Sequence, residues 1–183
     1  MTLRADLAAL LADAEILDVD IEEAVQDEHV RSHAYQKIIA VATASQRRDK
    51  DRAIVATIVR DPVELVSKTA VVQLVDTIAM RAADPTEFQQ WAAGITPEIE
   101  LLRAEGNRSF VHRRINDWTI YLTIKSGREP LDDGLTDATD WMQRLIATKS
   151  TSLPILTQLA ENGRTRKIRN IARNRARSRA ISS

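Results

Sequence analysis

Apolar residues along this chain recur at intervals of three and four nearly from end to end, the rhythm of helices with one buried face. Leu3, Leu7, Leu10 and Leu11 follow Thr2, a residue type that caps helix starts, and predict a first helix over 3–13. Ile21, Val25, Val30, Ala34, Ile38 and Val41 predict one or two helices between Asp18 and Ser45. Ile54, Val55, Ile58 and Val59 form the stripe of the next, between Arg47 and Val59. Asp61-Pro62 is the clearest punctuation, because Asp caps through its carboxylate and Pro at a first helical position forfeits no needed hydrogen bond. The helix it opens carries Val63, Val66, Ala70, Leu74 and Ile78, with Val71 and Val75 widening the stripe enough for burial on two sides.

Asp84-Pro85 repeats the start signal, and that helix is expected to stop at Gly94. Thr96-Pro97 is expected to open another, ending at Gly106. Residues 109–125 carry two rhythms. Val111, Ile115, Trp118 and Leu122 fit a helix, whereas Thr119 to Ile124 alternates polar and apolar like a strand. A helix is predicted, since a lone strand would have no partner. Gly127 to Gly134 reads as the longest loop. Helices are expected over 136–148 and 152–162, the second stopped by Asn162-Gly163, and a last helix over 164–180.

Composition agrees with an all-α fold. Five glycines and five prolines in 183 residues are too few for the tight turns of a sheet-rich fold. With 44% hydrophobic but only 4% aromatic residues, the core must be built from Ala, Val, Ile and Leu. The absence of cysteine removes disulfides, thiolate zinc sites and cysteine nucleophiles. Acids at Asp6, Asp13 and Glu15 break any leader-like apolar run, and no stretch approaches the roughly 18 apolar residues of a membrane span. A cytoplasmic protein without membrane contact is expected.

Two segments, Asp27-Glu28-His29-Val30-Arg31 and Asp61-Pro62-Val63-Glu64-Leu65-Val66, place an Asp a few residues before a Val, and Val30 and Val66 lie 36 positions apart. This resembles the HEAT and armadillo class of helical repeats, mainly over residues 18–94. The resemblance implies a short right-handed stack of antiparallel helical hairpins over 1–163 and a binding scaffold without chemistry. A compact helical bundle is the alternative. Residues 164–183 would then form an Arg-rich helix packed on the domain or trailing from it.

The net charge of zero conceals a strong asymmetry. Residues 1–30 hold nine acids and one base, a formal charge of −8, and residues 162–183 hold eight bases and no acid, +8. Arg166, Arg169, Arg173 and Arg177 fall on one face at 100° per residue, opposite Ile168, Ile171 and Ala172. With Arg164, Lys167, Arg175 and Arg179 they form the expected binding site for an anionic partner, since the planar guanidinium fork suits carboxylates and phosphates alike. The partner is expected to be a protein surface or nucleic acid, the second bound through sequence-independent phosphate contacts. The acidic end of another copy is a third option, and plain solubility is the competing explanation.

No catalytic residue, metal ligand or cofactor is expected. His29 and His33 share a helix face without a completing ligand set, and His112 beside Arg113 and Arg114 has no marked nucleophile. The acids Asp132, Asp133, Asp137 and Asp140 do not have calcium-loop spacing, and Asp137 or Thr136 is expected to cap a helix. Trp91, Trp118 and Trp141 read as core or groove residues.

Overall fold

The computed structural model describes residues 2–128 and 134–182, with side chains as far as residue 179. The regular elements among them are all α-helices. In chain order they are α1 (Leu3–Asp13), α2 (Ile21–Gln26), α3 (Glu28–Ala44), α4 (Asp51–Ile58), α5 (Glu64–Arg81), α6 (Pro85–Ile99), α7 (Glu105–Lys125), α8 (Gly134–Asp137), α9 (Asp140–Lys149), α10 (Leu153–Asn162) and α11 (Arg166–Ser182).

Four helix starts show side-chain capping, two of them, at Thr2 and Asp84, as expected from the sequence. Side chains of Thr2, Asp20, Asp27 and Asp84 accept the backbone N–H groups left without partners in the first turns of α1, α2, α3 and α6. Thr119 to Ile124 lies within α7, where Thr119 and Thr123 donate their hydroxyls to the carbonyls of Ile115 and Thr119. The strand-like alternation there has a helical cause. Trp118, Ile120, Leu122 and Ile124 are all buried, so this part of α7 is covered on more than one side.

Several boundaries differ from the expectation. α4 starts at Asp51, and α5 starts at Glu64, so Pro62 precedes the helix although Asp61 still accepts the Val63 N–H at 2.8 Å. α6 runs through Gly94 and Pro97 to Ile99 as one helix. Its stripe of Phe88, Ala92, Ile95 and Ile99 stays buried throughout, and Pro97 removes one hydrogen bond close to the helix end. Gly106 is not a terminator but sits in the first turn of α7. The residue that caps α9 is neither Thr136 nor Asp137, which belong to the one-turn α8, but Thr139, whose hydroxyl accepts from Met142 N. Asp132 and Asp133 lie outside the described residues.

The chain forms two compact units, one of residues 1–81 and 88–114, the other of residues 82–87 and 115–183. The first packs α3 chiefly against α5, with α1 and α2 on α3 and α4 on α5. Leu7, Leu11, Ala34, Tyr35, Ile38, Ile39, Val55, Ile58, Val71, Leu74 and Val75 fill its core. In the second unit α11 lies against α10 and α9 over Met142, Ile146, Leu156, Leu159, Ile168 and Ala172. The apolar side of α11 is thus covered by α9 and α10 within this unit.

Candidate functional site

The acidic first segment is absorbed locally. Asp6, Asp13, Asp18 and Glu22 pair with Arg60, Lys50, Lys37 and Arg4 at 2.9, 3.7, 2.6 and 2.6 Å. Asp20 and Asp27 serve as helix caps, and the backbone N–H groups of His29 and Val30 hold the Asp27 carboxyl below its ordinary range. Six of the nine acids thus have structural work within the first unit.

The basic end is built differently. α10 and α11 form an antiparallel hairpin across the turn 163–165. Gly163 allows the close approach: a Cβ there would sit 2.6 Å from Leu159 O and 2.8 Å from Ile168 Cγ2. Its φ of −55° shows that the glycine answers to space and not to left-handed backbone. Buried Gln143 of α9 fixes this turn. Its Nε2 donates to Leu135 O at 2.9 Å, and its Oε1 accepts from Arg164 N at 2.9 Å. α9 is anchored in turn by buried Asp117 on α7, which accepts the Thr139 N–H at 2.9 Å as well as the Thr139 hydroxyl.

On this frame the eight expected site residues divide by orientation. Arg166, Lys167, Arg173, Arg177 and Arg179 are exposed. Arg169 is half-buried and donates to Gly163 O at 2.6 Å, and Arg173 reaches Ala160 O at 3.4 Å, both satisfying carbonyls at the end of α10. Arg175 turns to the packed side, where it donates to Ser150 O at 3.1 Å, so it lies apart from the outward row. Arg164 lies before the helix, 3.5 Å from Asp140. Among the described residues no carboxylate stands within ion-pair distance of Arg166, Lys167, Arg173 or Arg177.

The polar face of α11 holds a second column that the arginine count alone does not reveal. Residues 169–180 repeat in fours, Arg-Asn-Ile-Ala, Arg-Asn-Arg-Ala and Arg-Ser-Arg-Ala. Arg169, Arg173 and Arg177 therefore run along the helix beside Asn170, Asn174 and Ser178, with a step of about 6 Å per repeat. Arg173 Nη1 donates to Asn170 Oδ1 at 3.1 Å and links the columns. On the α10 side a shallow groove of about 430 Å³ is lined by Thr157, Ala160, Glu161, Arg169, Arg173, Ala176 and Arg177. Glu161 places one acid on the edge of this groove.

The other sites considered from sequence are plain. His112 Nε2 lies 2.6 Å from the Glu100 carboxylate on the surface. His29 and His33 are exposed on α3, and among the described residues no group of three or more His, Asp or Glu is placed to hold a metal ion. Trp118 is buried and meets Trp141 edge-on at 5.7 Å, while Trp91 donates its indole N–H to Asp51 at 2.9 Å. No helix among the described residues is long and apolar enough to cross a membrane. Searches of known protein families, curated proteins and solved structures return no match to this chain.

Proposed function

We propose that this chain is a non-enzymatic helical scaffold that binds another macromolecule and holds an anionic surface of it on the exposed face of α11. The observation that carries the reading is the contrast between the two charged ends. Six of the nine acids near the start are engaged by bases or as helix caps, while Arg166, Lys167, Arg173 and Arg177 have no carboxylate within ion-pair distance among the described residues. A packed helix already fixes the backbone that carries these cations, so only their side chains remain to be ordered on binding, which favours their use as a contact surface.

The same proposal includes a stack of repeated hairpins. Its support is an ion pair between the two Asp-Val segments: Arg31 of the first meets Asp61 of the second at 2.6 Å, both side chains buried. Tyr35 donates its hydroxyl to the same carboxylate at 3.0 Å. A single buried polar link of this kind would hold the register of the two hairpins that carry it.

Chromatography on a sulfated anionic resin tests the reading. A chain of net charge zero is retained only if one face concentrates its cations. The wild type should elute at clearly higher salt than the triple variant Arg166→Gln, Arg173→Gln, Arg177→Gln. Co-elution of the two, with the variant folded by circular dichroism, would end the proposal.

A further inference from the structure

We propose that the partner held by α11 is a duplex nucleic acid, gripped by its phosphate backbone without reading of base sequence; this rests on the assignment of α11 as the anion-holding face. Two anionic partners compete for that face, an acidic protein surface and a polyphosphate chain, and they ask for different surroundings. A protein interface needs an apolar centre with buried anchors inside a polar rim. Among the described side chains of α11, which end at Arg179, the exposed ones are Arg166, Lys167, Asn170, Arg173, Asn174, Arg177, Ser178 and Arg179, none of them apolar. Contacts to phosphate and sugar need only cations and small hydrogen-bonding groups, Arg, Lys, Asn and Ser among them.

The four-residue repeat supplies these two kinds of group together at each step. An arginine provides charge, and the Asn or Ser beside it provides a neutral donor and acceptor for a phosphate or sugar oxygen. Over its 17 residues α11 is about 26 Å long, the axial length of about eight base pairs. Glu161 on the groove would repel a phosphate there, whereas Lys167 and Asn174, both exposed, lie at 100° per residue on the side of α11 away from Arg169 and Ala176.

Single strands fit less well. They are held by aromatic platforms on which bases stack. The chain has no aromatic residue after Trp141, and the Trp141 ring already meets Trp118. Duplex DNA and duplex RNA offer the same phosphate chemistry, and the test separates them.

Fluorescence anisotropy with the full chain and labelled duplexes of about 20 base pairs decides the matter. Four phosphate contacts, by Arg166, Lys167, Arg173 and Arg177, give a log–log salt slope of about −3.6 and a loss of affinity of about 150-fold between 50 and 200 mM salt. Arg166→Gln, Arg173→Gln, Arg177→Gln should reduce the slope by about 2.7. Asn170→Asp, Asn174→Asp should also weaken binding, and scrambling the duplex sequence should leave affinity unchanged. Binding of a DNA duplex, an RNA duplex or both with this slope supports the inference and identifies the source.

Poly-L-glutamate bound as tightly as either duplex would overturn the duplex assignment while leaving the anionic-surface reading intact. So would preference for a single strand, or a tenfold preference for one duplex sequence. Failure to bind any polyanion at 50 mM salt would overturn both.

Discussion

Two glycines in helical surroundings should respond to alanine with opposite signs, and the difference can be worked out from space alone. Gly94 lies inside α6, with no heavy atom within 4 Å of the Cβ position. Alanine there removes the entropic cost of a mid-helix glycine and should stabilise the chain by about 0.5–1 kcal/mol. Gly163 has an ordinary φ, so alanine would not strain its backbone, but its Cβ would stand 2.6 Å from Leu159 O and 3.2 Å from Arg169 Cγ. Leu159 O is backbone and accepts the Gly163 N–H at 3.0 Å, so it cannot retreat without opening the last turn of α10. Overpacking of this kind costs about 1–3 kcal/mol, offset in part by about 0.4–1 kcal/mol of lost unfolded-state entropy. The expected net is a loss of about 1–2 kcal/mol, or about 2–8 °C in Tm for a chain of this size. Thermal and urea denaturation followed by circular dichroism measure both variants. Gly163→Ala as stable as the wild type, or Gly94→Ala losing as much as Gly163→Ala, would refute the reasoning.

Asp61→Ala strips the counter-ion from Arg31, whose side chain is only 3% exposed, and should cost about 3–5 kcal/mol in urea denaturation. Replacing both partners, Arg31→Met with Asp61→Leu, should recover most of that loss, since it leaves no buried charge unpaired. Glu64 gives an acid-limb prediction. Asn107 Nδ2, the N–H groups of Ala104 and Arg103, and the Arg103 guanidinium bond its carboxylate and hold its pKa at about 2 against an ordinary 4.5. The folded value is depressed, so this stabilisation is complete above pH 4.5 and is lost as pH falls toward 2. Titration of stability across that window should show a shallower acid limb in Glu64→Gln than in the wild type.

What was legible in the sequence was local. The Thr2 and Asp84 caps act within three residues, and the apolar stripes act within one helix, so periodicity and capping rules find both; Asp20 and Asp27 cap by the same rule without being expected to. Pro97 and Gly94 misled because burial of the Phe88–Ile99 stripe outweighs one lost hydrogen bond and one mid-helix glycine. Contacts between distant positions left no local trace. Arg31 meets Asp61 across 30 residues, and Asp117 meets Thr139 across 22. Gly163 announced a helix stop, but its need for closeness depends on Ile168 and Arg169 folding back over it. The site was half legible. The outward arginine row follows from 100° geometry, which also turns Arg175 inward, and the Asn170, Asn174 and Ser178 column was readable from the four-residue period.

The arrangement of α11 bears on whether its charges serve solubility alone. Arg169 with Arg173, Arg173 with Arg177, and Arg175 with Arg179 are like-charge pairs four residues apart. Each opposes the helix by about 0.2–0.5 kcal/mol. The first turn of α11 carries no acid to meet the positive end of the helix dipole, which cations there further oppose. Solubility is served as well or better by charges of both signs interspersed, which would turn those pairs into stabilising ones. α11 instead holds its shape through Ile168 and Ala172, both fully buried, while its outer face concentrates charge of one sign against local stability. A polyanion laid along that face would remove the repulsion it now contains. If α11 holds a polyanion as proposed, helix formation and partner binding would be coupled in it, and the proposal accounts for a one-signed face that solubility alone does not require.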